Sequence, residues 1–136
     1  MTNAPELEIY ICGVCRPKNA DSEDPRRPGR DLMKNLKIKL EDQGLEQRFS
    51  LKMMQCMSVC KRPATMSIVS PGKFTFTVGD LDPETTADDI ITFAKLYAQS
   101  EDGIPDWSDR PECIRQGVIA RTPPFNAVHQ RVKDTN

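Results

Sequence analysis

An α/β fold built on a mixed sheet is the prediction, and three observations carry it. Four short segments alternate apolar and polar residues, two longer ones place apolar residues at helical spacing, and they come in the order strand, helix, strand, strand, strand, helix. The 136 residues suit one domain, able to bury about two-thirds of the surface its unfolded chain exposes.

The first strand is "LEIYIC", where Leu7, Ile9 and Ile11 alternate with Glu8, Tyr10 and Cys12. From Arg16 to Gly29 the segment "RPKNADSEDPRRPG" is polar and proline-rich, which predicts a long surface loop. A helix over about 30–43 follows, with Leu32, Met33, Leu36 and Leu40 on one face, Asp31 in its first turn and Gly44 as its stop. "QRFSLKMMQC" is the second strand, through Phe49, Leu51 and Met53. "ATMSIVS" and "KFTFTVG" make the third and fourth, joined as a hairpin by Pro71–Gly72. A second helix over about 83–100 puts Ile90, Phe93, Ala94 and Tyr97 on one face, with Asp82 or a following Thr as cap and Pro83 in the first turn. Residues 104–136 are expected to form an irregular extension with a short helix in "DRPECIRQGV" and a mobile last ten residues. A right-handed crossover makes the first two strands parallel, so the layout expected is thioredoxin-like: a four-stranded mixed sheet, β-α-β-β-β-α, with helices packed on it.

Composition narrows the function. With 19 Lys and Arg against 20 Asp and Glu, the net charge is −1, which favours neither a nucleic-acid surface nor an anionic membrane as partner. The first residues, "MTNAPELEIY", lack the basic and apolar regions of a secretory leader, so a cytoplasmic location is expected. In that reducing compartment the five cysteines point to metal or redox work before structural disulfides. No glycine-rich phosphate loop and no G-x-S-x-G motif is present, and the single histidine, His129, lies in the expected tail. Asp80, Asp82, Asp88 and Asp89 read as helix-end charges. A carrier is expected, not an enzyme.

Four of the cysteines form two pairs. Cys12 and Cys15 make C-x2-C in "CGVC", and Cys56 and Cys60 make C-x3-C in "CMSVC". Each pair follows a predicted strand, so if those strands are parallel neighbours, four sulfurs meet at one sheet edge. Three chemistries suit such a meeting. A dithiol needs its first thiolate near a helix N-terminus, whereas the long loop separates Cys15 from the first helix, and the second pair has no part in it. Structural zinc takes four thiolates, usually from C-x2-C knuckles, and would leave an interaction module without redox activity. An iron–sulfur cluster of the [2Fe–2S] type takes two thiolates per iron, which fits Cys12 with Cys15 and Cys56 with Cys60. One histidine excludes the two-histidine variant of that cluster and Cys2His2 zinc.

The order of elements, with "CMSVCKRP" after the second strand, resembles the thioredoxin-like [2Fe–2S] ferredoxins and a related subunit of NADH dehydrogenases. More closely, "CGVCRP", "RRPG", "CMSVCKRP", "DIITFAKLYAQSEDG" and "RPECI…ARTPP" resemble DUF1636, a family of small bacterial proteins described as metal-binding or ferredoxin-like, from about Ile9 to Pro124. The resemblance implies a [2Fe–2S] cluster on Cys12, Cys15, Cys56 and Cys60, single-electron delivery to a larger redox protein, and a homodimer. Some members sit among cobalamin-synthesis genes, which implies a link to that chemistry. The close C-x2-C spacing departs from the ferredoxin pattern.

Around the pairs, Arg16, Lys61 and Arg62 are read as solvated charges, and Gly13 and Val14 as donors of backbone N–H groups to sulfur. Pro63 stands where thioredoxin-like folds often carry a cis proline, although an ordinary strand-start proline is the simpler reading. Met53, Met54 and Met57 are expected as core filler, Cys113 as a small buried residue and Trp107 as a core anchor.

Overall fold

The computed structural model describes residues 4–135. Five strands and three helices follow the chain as β1 (Leu7–Cys12), α1 (Pro28–Asp42), β2 (Phe49–Met54), β3 (Met66–Val69), β4 (Thr75–Val78), α2 (Ala87–Gln99), α3 (Glu112–Gly117) and β5 (Val118–Thr122). The sheet order is β2-β1-β3-β4-β5. β1 runs parallel to β2 in the register Leu7↔Phe49 to Cys12↔Met54, and β3, β4 and β5 are added antiparallel. The mixed sheet and the parallel first pair follow the sequence expectation. The fifth strand does not: "VIART" has apolar residues only at its start and no alternation, because it is an edge strand whose later residues are exposed.

Local chemistry explains where the helices begin and end. α1 starts at Pro28, whose fixed φ suits a first helical position. It stops at Gly44, which takes φ +68° while the N–H of Leu45 reaches back to the carbonyl of Leu40. α2 starts later than expected, at Ala87, because Asp82 organises a separate turn ahead of it. The Asp82 side chain accepts the N–H of Glu84, and its carbonyl accepts the hydroxyl of Thr86. Leu32, Leu36 and Leu40 of α1 and Ile90, Phe93, Ala94 and Tyr97 of α2 join Leu7, Ile9, Ile11, Met66, Ile68, Phe76 and Val78 in one buried core. Phe76 meets Phe93 edge to face at 5.3 Å. No helix among the described residues is long and apolar enough to cross a membrane.

In the C-terminal segment Phe125 and Val128 are exposed, and His129 makes the contact with the body of the fold. The His129 Nδ1 accepts the N–H of Arg131, so in the neutral ring the proton sits on Nε2 and is donated to Asp102 at 2.9 Å. The same ring packs on Phe74 at 4.9 Å. Trp107 is 65% exposed, with the Arg115 guanidinium 4.9 Å from its ring, and so does not anchor the core.

Candidate metal centre

The cysteine loops leave the same edge of the sheet because β1 and β2 are parallel neighbours that end together. Cys12 is the last residue of β1, in register with Met54, the last of β2. The first loop then stays attached to its neighbours. The N–H of Cys12 donates to the Thr65 carbonyl at 3.0 Å, and the N–H of Gly13 donates to the Met54 carbonyl at 2.9 Å.

Within this frame the Cys12 and Cys15 sulfurs lie 3.2 Å apart, both buried. Burial raises the Cys12 thiol, but the N–H of Val14, the Cys15 thiol and the N–H of Met57 outweigh it, and its pKa falls below the usual thiol value. Cys15 is pushed the other way, to about 12, by burial, by the adjoining Cys12 sulfur and by Cys60. Cys56 and Cys60 are exposed. Ser58, at φ +60°, turns the chain between them and donates its N–H to the Cys56 sulfur at 3.4 Å.

Cys15 and Cys60 share a cleft of about 460 Å³ with Arg16, Lys18 and Lys61. Both cysteine loops thus leave one end of the sheet, but among the described residues no group of three ligating side chains is arranged to hold a metal ion. Cys113 lies apart in α3, its sulfur 3.7 Å from the Asp89 carboxylate, and burial raises its pKa to about 11.

The long loop after Cys15 doubles back, so α1 is near the cysteines in space despite its distance in sequence. Gly29 abuts the carbonyl of Cys12, and Arg30 donates its Nε to the carbonyl of Gly13 at 2.8 Å. Neither residue is among the sequence candidates. The signal was the glycine of "RPGR", placed inside a helix start where alanine would serve better.

The neighbouring residues divide. Arg16 donates to the backbone carbonyl of Asp24 at 3.1 Å, and Arg62 pairs with Asp80 at 2.7 Å, so these two are structural cations; Lys61 is exposed. Met53 and Met54 are 52% and 45% exposed and do not fill the core; the Met53 sulfur covers Gly13. The cis peptide in this region is Pro63–Ala64, the bond after Pro63 and not the one before it.

Comparisons with known proteins bear on the fold and the family. The thioredoxin-like [2Fe–2S] ferredoxin from Aquifex aeolicus matches at a TM-score of 0.56 with 14% identity, over 92% of this chain and all of that one (100%). A further crystal structure of the wild-type ferredoxin gives 0.51, also at 14% identity, over 86% and 99%. A cysteine-to-serine variant of the same ferredoxin gives 0.53 at 14% identity, over 84% and 98%. The likeness establishes the thioredoxin-like fold. No curated protein sequence matches. The family model described as "Protein of unknown function (DUF1636)" covers residues 9–124, and the chain belongs to that family.

Proposed function

We propose that the chain is an electron carrier that holds one [2Fe–2S] cluster on Cys12, Cys15, Cys56 and Cys60 and passes single electrons to a larger redox protein. The observation that carries this reading is the parallel pairing of β1 with β2, which sends both cysteine loops off the same end of the sheet, where Cys15 and Cys60 line one cleft. The donor set suits such a group: four thiols on two loops, no histidine or carboxylate among them, and the N–H of Ser58 donated to the Cys56 sulfur. The structural neighbours named as [2Fe–2S] ferredoxins add the same suggestion at the level of fold.

When bound, a [2Fe–2S] cluster supplies a one-electron couple whose potential depends on hydrogen bonds to sulfur and on burial. The residues divide that work. Cys12 and Cys15 are the buried half of the site, Cys56 and Cys60 the exposed half facing a partner. Lys18 and Lys61, exposed in the cleft beside Cys15 and Cys60, favour the more negative reduced state and an anionic partner surface.

A second reading has its own observation. A C-x2-C pair at 3.2 Å with one thiol lowered and the other raised is the arrangement of a dithiol oxidoreductase. Serine substitution separates the two. As a carrier, Cys12→Ser and Cys56→Ser should each remove most of the visible absorbance of anaerobically purified protein. Unchanged colour in both, with disulfide reduction lost only in Cys12→Ser, would overturn the carrier reading.

A further inference from the structure

The segment "RRPG" and the arginine after it supply no ligand, yet they reach the first cysteine loop. Arg30 stands in the first turn of α1 and is exposed. Its Nε nevertheless reaches back 17 positions to donate to the carbonyl of Gly13 at 2.8 Å, and Gly13 is buried.

Gly13 lies between the two thiols of "CGVC" and has the widest choice of backbone conformation among those four residues. Contacts from three parts of the chain remove that choice. The N–H of Gly13 donates to the Met54 carbonyl at the end of β2 at 2.9 Å, and the N–H of Cys12 donates to the Thr65 carbonyl just before β3 at 3.0 Å. Gly29 of α1 closes on the Cys12 carbonyl. Those three contacts are made by backbone; the bond from Arg30 is made by a side chain, and it acts on the peptide group that joins Gly13 to Val14. That peptide is trans. In a trans peptide the carbonyl and the following N–H point in opposite directions, so the bond that fixes the Gly13 carbonyl also fixes the path of the chain into Val14 and Cys15. On this path the Cys12 and Cys15 sulfurs lie 3.2 Å apart. Two thiolates on one ion, each bonded at about 2.3 Å, can be at most about 4.6 Å apart.

We propose that Arg30 is a positioning residue of the metal centre: by holding the Gly13 carbonyl, it keeps the first cysteine loop in the form in which Cys12 and Cys15 can share one ion. The inference rests on the reading of those two cysteines as ligands and adds a residue that is not itself a ligand. A guanidinium suits the role because it keeps its protons at any pH at which thiolates bind metal. A bond that merely fastened α1 to the loop would be lost equally from the metal-free and the metal-bound protein, and the affinity would not change. A bond that selects the form of the loop acts differently. Without it the metal-free loop spreads over other forms, and the affinity falls in proportion to the share that stays competent.

Anaerobic titration of the reduced, metal-free full chain with cobalt(II) tests it, read from the thiolate-to-cobalt absorbance in competition with a chelator. R30Q should bind cobalt about tenfold more weakly, or worse, while its unfolding temperature without metal stays within about 2 °C of the parent chain's. R30K keeps a cationic donor for a single carbonyl and should recover most of the affinity. The proposal is overturned if R30Q binds cobalt as tightly as the parent chain, if its loss of affinity is matched by an equal loss of stability, or if R30K recovers nothing. Failure of the ligand reading looks different: the parent chain then takes up no cobalt, or Cys12→Ser takes it up equally well, and the role of Arg30 falls with it.

Discussion

Gly29 packs so closely on Cys12 that a Cβ added to it would stand 1.8 Å from the Cys12 carbonyl oxygen. The start of α1 is thereby pressed against the end of β1, and the first cysteine loop is held between them. Glycine inside a helix normally costs about 1 kcal/mol relative to alanine, so Gly29→Ala should stabilise if the helix alone mattered. The contact reverses the sign. A destabilisation of about 1–3 kcal/mol is expected, read from the shift in denaturant midpoint at unchanged slope.

Gly13 is crowded by a side chain instead of backbone. A Cβ there would meet the Met53 sulfur at 2.2 Å, but that side chain is long, flexible and half exposed. Gly13→Ala should cost less than about 1 kcal/mol, measured the same way. A larger loss than for Gly29→Ala would contradict the packing described.

Accessibility sets the order of thiol modification in the reduced, metal-free protein. Cys56 and Cys60 are exposed and Cys12 and Cys15 buried. Iodoacetamide followed by peptide mass mapping should label Cys56 and Cys60 first, and protein carrying a metal centre on these sulfurs should resist labelling at all four.

Tyr97 joins α2 to the sheet through its hydroxyl, which donates to the Phe74 carbonyl at 2.6 Å from a buried position. Tyr97→Phe removes that donor and little volume. A loss of about 0.5–1.5 kcal/mol in unfolding free energy is expected.

Asp102 gives the pH dependence. The His129 hydrogen bond holds its carboxyl below the ordinary value, against a smaller opposing effect of burial. A carboxyl lowered on folding adds stability above its unfolded pKa of about 4, and that stability is lost as pH falls through the lower folded value. His129→Ala should therefore narrow the stability difference between pH 6 and pH 3. The pair is partly exposed, so the effect stays within about 1 kcal/mol.

The alternation of Leu7, Ile9 and Ile11 and of Phe49, Leu51 and Met53 made β1 and β2 legible, and with them the parallel pairing that sends both cysteine loops off one end of the sheet. Contacts made by polar residues were not legible. β5 has no alternation because its outer residues face solvent, and His129 looked free because its partner, Asp102, is remote in sequence. The nearness of α1 to Cys12 was hidden by the intervening loop, whose turns depend on local bonds such as Asp24 to Arg26. Met53 and Met54 were expected inside because methionine is apolar, but β2 is an edge strand and its last residues are open to solvent. Arg110 reads as a surface charge in any window of sequence and shows its burial only once Phe76 and β5 are in place.

Whether the four cysteines hold a [2Fe–2S] cluster is decided by the iron, acid-labile sulfide and zinc content of anaerobically purified protein, with electron paramagnetic resonance after reduction. About two irons and two sulfides per chain and a signal from one unpaired electron are expected. A colourless, folded protein with one zinc and no sulfide would contradict it.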